Sequence, residues 1–177
     1  MNQIAPTPEM SPSPDLNPEQ FASADGQQVN LIGIPRTQLN DMLVERGHKP
    51  FRTKQLWQWL YWHGVTEFDA MTNLSKDFRQ KLADEFVIER PQVSEALNSV
   101  DGTAKWLLKF PDGNEVETVH IPEADRGTLC VSSQVGCTLT CKFCHTGTQK
   151  LVRNLTAAEV VGQMMLARYA FGEWPTP

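Results

Sequence analysis

Residues 128–145 read TLCVSSQVGCTLTCKFCH, which places Cys137, Cys141 and Cys144, three of the chain's four cysteines, within eight residues and His145 directly after them. Thr128–Gln134 reads as a strand and the cysteine stretch as a loop. Thr156-Ala-Ala-Glu159 has the form of a capping box, opening an amphipathic helix through Val160 and Met164 to about Phe171. Strand, loop and helix in that order make the first unit of a β/α repeat, so the fold class is α/β. A second unit is not present, because the chain stops at Pro177 just after that helix. There is no internal repeat.

Upstream the hydrophobic period changes. Trp106, Leu108 and Phe110 alternate, Pro111-Asp112-Gly113-Asn114 reads as a turn, and Val116 to Ile121 is again extended; with 93–99 this predicts a short antiparallel β meander. Before Pro91 the period is helical. Leu39, Met42 and Leu43 give a helix over 36–46 that stops at Gly47. Leu56, Trp59, Leu60 and His63 give another over Arg52–His63, ended by Gly64. Phe78, Leu82 and Phe86 give a third over 75–86, capped by Ser75. Five of the twelve prolines fall in the first 18 residues among Ser, Asn, Gln and Asp, a composition too polar to offset the entropy of ordering. The predicted organisation is a disordered tail over 1–29, a helical domain over 30–90, and a second domain starting at 91 and running to 177.

The net charge of −5 is unevenly spread. Residues 1–30 carry Glu9, Asp15, Glu19 and Asp25 with no Lys or Arg. Between Arg36 and His63, Arg36, Arg46, Lys49, Arg52 and Lys54 face only Asp41 and Glu45, a local charge of +3. Lys142–Arg153 holds three basic residues and no acid. Clusters of this size are ordinarily solvated faces, and they are also the residue types that contact phosphates. No apolar run approaches the roughly 18 residues of a membrane span, and the first 30 residues lack the regions of a signal peptide. A cytoplasmic protein with no membrane partner follows. In a reducing compartment, clustered cysteines point to metal or redox chemistry rather than to structural disulfides.

Four readings compete for CTLTCKFCH. Cys141-Lys-Phe-Cys144-His145 matches C-x-x-C-H of c-type haem attachment, but this leaves Cys137 idle and normally accompanies export. A structural zinc taking the three cysteines and His145 would need adjacent Cys144 and His145 to reach one ion. A redox pair would use Cys141 and Cys144 alone. The fourth is an iron–sulfur cluster: thiolates at C-x₃-C-x₂-C spacing hold three irons of a [4Fe-4S] cube and leave one iron open to a small ligand.

The last pattern, with Phe143 before the final cysteine, resembles the radical S-adenosylmethionine (SAM) superfamily. The longer run Arg126–Gly147 and then Arg153-Asn-Leu-Thr-Ala-Ala-Glu-Val-Val-Gly-Gln163 is similar to the bacterial dual-specificity ribosomal and transfer RNA adenine C2 methyltransferase family. So are Lys49-Pro-Phe-Arg-Thr-Lys-Gln-Leu-Trp-Gln-Trp-Leu60 and Met71-Thr-Asn-Leu-Ser-Lys-Asp-Phe-Arg79 in the helical domain. The resemblance spans roughly residues 31–175.

The resemblance implies a partial (β/α) barrel of which this chain holds the first unit, a [4Fe-4S] cluster on Cys137, Cys141 and Cys144, and SAM on the open iron. Reduction of SAM would yield a radical that attacks a methyl group carried on a protein cysteine, and the product radical would add to adenine C2 in 23S rRNA or tRNA. The resulting adduct would be released by disulfide formation involving a second cysteine, whose position matches Cys130. An acid/base glutamate matches Glu117. Read without the family, Cys130 is a small buried hydrophobe and Glu117 a solvated strand position. The helical domain would grip RNA through Arg36, Arg46, Lys49, Arg52 and Lys54, with Trp57 or Trp62 stacking on a base. A reducing electron donor such as flavodoxin and a monomeric state complete the expectation. No cysteine follows Cys144. The methyl-carrying cysteine is therefore absent, and the resemblance implies an amino-terminal fragment that holds the cluster and binds RNA but does not turn over. A sister family acting at adenine C8, and a non-catalytic RNA-binding module with a zinc knuckle, are the alternatives.

Overall fold

The computed structural model describes residues 28–139 and 141–172. The tail expected over 1–29 falls outside the described residues up to Gln27. Its last two residues are ordered: Gln28 donates to the Ala83 carbonyl at 2.7 Å, and Val29–Asn30 forms strand β1. The folded unit thus starts two residues earlier than the sequence suggests.

Three helices follow, α1 (Arg36–Glu45), α2 (Phe51–Tyr61) and α3 (Lys76–Glu85). The end of α1 and the start of α3 fall where the sequence signals them, while Phe86, expected in the third helix, begins the next strand. After α1, Gly47 takes φ +78°, which lets its N–H reach the Val44 carbonyl and the His48 N–H reach that of Leu43. At α3 the Ser75 hydroxyl accepts from the Phe78 N–H. The helices turn Leu39, Leu43, Leu56, Trp59, Leu60, Phe78 and Leu82 into one core with Leu31, Ile32 and Ile34. Strand β2 (Phe86–Val87) leaves α3 and pairs in parallel with β1. The buried Asn30 side chain prolongs this short ladder, accepting from Ile32 and Glu89 N–H groups and donating to the Glu89 carbonyl. No local pattern announces it.

The meander has four strands, β3 (Gln92–Asn98), β4 (Ala104–Lys109), β5 (Glu115–Pro122) and β6 (Gly127–Cys130), antiparallel and in sequence order. Here the single strand expected over Thr128–Gln134 is corrected. Gly127–Cys130 joins the meander edge, residues 131–133 leave the ladder, and β7 (Gln134–Val135) pairs antiparallel with β8 (Arg153–Asn154). The break occurs because the Ser132 N–H and carbonyl are taken by the Gln163 side chain instead of a neighbouring strand. The parallel pairing that a β/α repeat requires does not form between these strands; the architecture is α/β with antiparallel sheets beyond β2.

Helix α4 (Ala157–Ala170) carries the predicted box: Thr156 accepts from the Glu159 N–H, and Glu159 accepts from the Thr156 N–H. Met165 belongs to the helical core, whereas Ala167 packs with Trp106, Leu108, Phe110 and Val116 under the sheet. Gly33 and Gly162 allow the approach. A Cβ on Gly33 would lie 2.4 Å from the Ala158 nitrogen, and one on Gly162 2.5 Å from Pro91. Contacts therefore cross the boundary placed near residue 90.

Candidate active site

Strand alternation sorts the meander into two faces. Val116, Thr118 and His120 face α4: the Thr118 hydroxyl donates to Gln163 Oε1 at 2.8 Å, and the His120 ring lies 4.3 Å from that of Phe171. Glu117, Val119 and Ile121 consequently point to the opposite, open face. Cys130 is the last residue of β6 in the ladder and stands across from Val119, so its side chain shares that face and is the diagonal neighbour of Glu117. Glu117 is exposed and accepts from Lys105 Nζ at 2.9 Å, a contact that raises the lysine's pKa above its ordinary value. Cys130 is exposed, which corrects its reading as a buried hydrophobe.

The chain between Cys130 and the next strand is fixed from below. Gln163 is fully buried with all four of its hydrogen-bonding positions used. Its Oε1 accepts from Thr118 and from the Ser132 N–H at 2.8 Å each; its Nε2 donates to the Ser132 carbonyl at 2.9 Å and to that of Glu159 at 3.2 Å. Ser132 Oγ in turn donates to the Glu117 carbonyl at 2.8 Å. Sequence reading missed both residues. The only local signal for Gln163 was an amide inside an otherwise apolar helix stretch.

The cysteine loop hangs between β7 and β8. The Cys137 N–H reaches the Gln149 carbonyl at 3.3 Å, and Cys137 Sγ accepts from the Leu139 N–H at 3.3 Å. Cys141 and Cys144 share one turn, closed by the Cys144 N–H on the Cys141 carbonyl and continued by Gly147 on Cys144. Gly147 is buried against this turn, and a Cβ there would lie 2.5 Å from the Cys141 carbonyl oxygen. Gly136, at φ +76°, lies so close to the β8 side of the loop that a Cβ would meet the Lys150 carbonyl oxygen at 2.1 Å. The loop tip is open, with Phe143 94% exposed and Leu139 73%. Cys137, Cys141 and Cys144 are half-buried and free, as is the exposed Cys130, and the His145 side chain points to solvent. Among the described residues no three Cys, His, Asp or Glu side chains are gathered as a finished metal site. Three free thiols on one short loop, with one sulfur already accepting a backbone N–H, nevertheless suit a soft metal or iron–sulfur group.

Arg153 clamps the exit of this loop. It donates twice to Glu159, at 2.7 and 2.8 Å, and through Nε to Asp112 at 2.6 Å, while its guanidinium lies over the Phe110 ring. The hydrogen bond from Arg153 holds the Asp112 carboxyl down at about 2, and the hydrogen bonds to Glu159 raise the arginine's own pKa.

The five basic residues of the helical unit divide into two sets. Arg46 pairs with Glu85 and lies over Phe86; Arg52 lies over Phe51 and Phe78 and donates to Gln55. Arg36, Lys49 and Lys54 are exposed. On α2, Phe51, Lys54 and Gln58 fall on one exposed face that Trp62 continues, with Trp62 62% and Phe51 52% exposed. Trp57 instead packs on Tyr61 at 4.4 Å. No described helix is long and apolar enough to cross a membrane.

Comparison with known proteins fits this geometry. A radical SAM methyltransferase from Sphaerobacter thermophilus superposes with a TM-score of 0.74 at 36% identity, covering 81% of this chain and 42% of that one. The described fold is thus shared with a radical SAM methyltransferase. Residues 29–88 match the family described as the ribosomal RNA large subunit methyltransferase N-terminal domain. Over most of its length the chain is similar to proteins described as dual-specificity RNA methyltransferase RlmN: it is 58% identical to that of Rhodospirillum rubrum over 170 residues and to that of Paramagnetospirillum magneticum over 158. These matches cover 96% and 88% of this chain but 40% and 35% of the relatives, so the chain spans about two-fifths of their length.

Proposed function

We propose that this chain is the cluster-holding and RNA-gripping part of a radical SAM RNA adenine C2 methyltransferase acting on 23S rRNA and tRNA. The observation that carries the reading is the placement of Glu117 and Cys130 as diagonal neighbours on one open sheet face, directly upstream of the three-thiol loop. Cys137, Cys141 and Cys144 would hold a [4Fe-4S] cluster, which when bound supplies the electron that cleaves SAM. Glu117, which accepts from Lys105 Nζ, would hold or move a proton on that face. Cys130, exposed at the strand end, would form a disulfide with the methyl-carrying cysteine, which lies outside this chain, breaking that cysteine's sulfur–carbon bond to the RNA adduct while the released carbon takes up a proton.

RNA would lie along the exposed α2 face, with Trp62 and Phe51 as stacking surfaces and Arg36, Lys49 and Lys54 meeting phosphates. Arg46 and Arg52, held on aromatic rings, stiffen the helical unit and present less of their charge. The partial barrel, a cytoplasmic setting, a flavodoxin-type electron donor and a monomeric state belong to the same proposal.

The test is iron, sulfide and zinc content of protein purified and reconstituted without oxygen, with electron paramagnetic resonance before and after adding SAM. About four irons and four sulfides per chain and a SAM-dependent spectrum are expected. One zinc and no iron in a folded sample would overturn the reading in favour of a zinc knuckle. Mapping methylation in cells carrying the gene separates C2 from the C8 alternative.

A further inference from the structure

We infer that Ser132 and Gln163 are positioning residues, whose shared work is to hold the Cys130 thiol beside the Glu117 carboxylate. The catalytic meaning of this placement rests on the proposed function above; the placement itself does not.

Backbone pairing between β5 and β6 ends at Val119 and Cys130. If the ladder continued, Ser132 would stand opposite Glu117. The chain instead leaves the sheet, and the register survives through side chains: Ser132 Oγ donates to the Glu117 carbonyl, while Gln163 grips the Ser132 N–H and carbonyl together. The only other backbone bond described for residues 131–133 is that of the Ser133 carbonyl, which accepts from the Leu155 N–H and not from β5; without the three bonds to Ser132 the segment beside β5 frays. Cys130 would then swing on the last ladder pair. The amide suits the task because it offers a donor and an acceptor to one residue and keeps one of each for Thr118 and Glu159. A carboxylate or hydroxyl at position 163 supplies no such combination. The clamp reaches the open face from the buried one, so Gln163 acts on a pair of groups that it does not touch.

The prediction can be read without cluster or substrate. In a Glu117→Cys background, a methylene-bridged bis-thiosulfonate joins positions 117 and 130 across the roughly 7–8 Å diagonal of an antiparallel pair. The rate of bridging, resolved peptide by peptide by mass spectrometry, reports how closely the two side chains are held. Ser132→Ala should slow bridging about five-fold, the effect of losing one net hydrogen bond. Ser132→Thr, which keeps the hydroxyl, should restore it. Gln163→Leu should slow it further where it folds, and Ser132→Ala carries the test where it does not. Thr118→Val removes a Gln163 bond on the buried side only, and should bridge at the parent rate. Unchanged bridging in Ser132→Ala overturns the proposal. So does equal slowing in Thr118→Val, which would assign the effect to general loosening. Iron uptake of the same variants with Glu117 restored tests the cluster reading separately, so either idea can fail alone.

Discussion

Replacing Arg153 with Met tests the clamp that joins the meander turn, the end of the cysteine loop and the start of α4. The Arg153 side chain is 29% exposed and that of Glu159 15%, so removing the cation strands a largely buried carboxylate that keeps, among the described residues, the Thr156 N–H as donor. Breaking a fully buried pair by deleting one partner costs about 3–5 kcal/mol, and the partial exposure here reduces this to about 2–3 kcal/mol. For a chain of this size the midpoint of thermal unfolding should fall by about 5–10 °C. The pH dependence adds an independent sign. Asp112, at about 2 in the folded protein, lies below its unfolded value, so its contribution is present above about pH 4 and fades as pH falls toward 2. The deficit of Arg153→Met should therefore be largest near neutrality and shrink through that acid window. Urea unfolding at pH 7, 4 and 3 measures both effects. A variant within about 1 kcal/mol of the parent at pH 7, or a deficit that grows on acidification, would refute the account of Arg153 as a clamp.

Three further outcomes follow from the geometry. Gly147→Ala should reduce iron uptake while leaving the urea midpoint of the fold unchanged, because the new Cβ would lie 2.5 and 2.8 Å from backbone atoms of Cys141 that have no room to yield; full uptake would contradict it. Leu60→Ala, at a site with no exposure, should cost about 2–5 kcal/mol in the same unfolding assay. Trp62→Ala should leave the circular dichroism spectrum intact and weaken binding of single-stranded RNA by about 1–3 kcal/mol in filter binding, whereas Trp57→Ala should instead lower stability.

What could be read from sequence alone was local. The Ser75 cap, the Thr156–Glu159 box and the periods of α1 to α4 and of β3 to β5 are each encoded within a few residues, and the structure has them within one or two positions. Thr128–Gln134 looked like one strand because its composition is extended throughout; what divides it is an amide thirty-one residues away. The β1–β2 pair depends on Asn30 meeting Glu89, fifty-nine positions apart, which no window can contain. The same holds for the candidate site. Its thiols announce themselves by spacing, whereas the adjacency of Glu117 and Cys130 exists only through the register of β5 against β6. Of the basic residues, charge alone did not separate Arg46 and Arg52, which lie on aromatic rings, from those free to meet a ligand.

Because Met165 and Ala167, two residues apart on α4, lie in different cores, the helical unit and the sheet share a single piece of backbone. Neither core can lose its packing without exposing the helix that supports the other. Free energy is thereby communicated along the molecule: a ligand at one hundred times its dissociation constant on the α2 face adds about 2.7 kcal/mol to the folded state as a whole. Part of that gain should appear as protection of the strands bearing Glu117 and Cys130. Slower amide exchange in those strands when ligand is added would be the sign of such coupling.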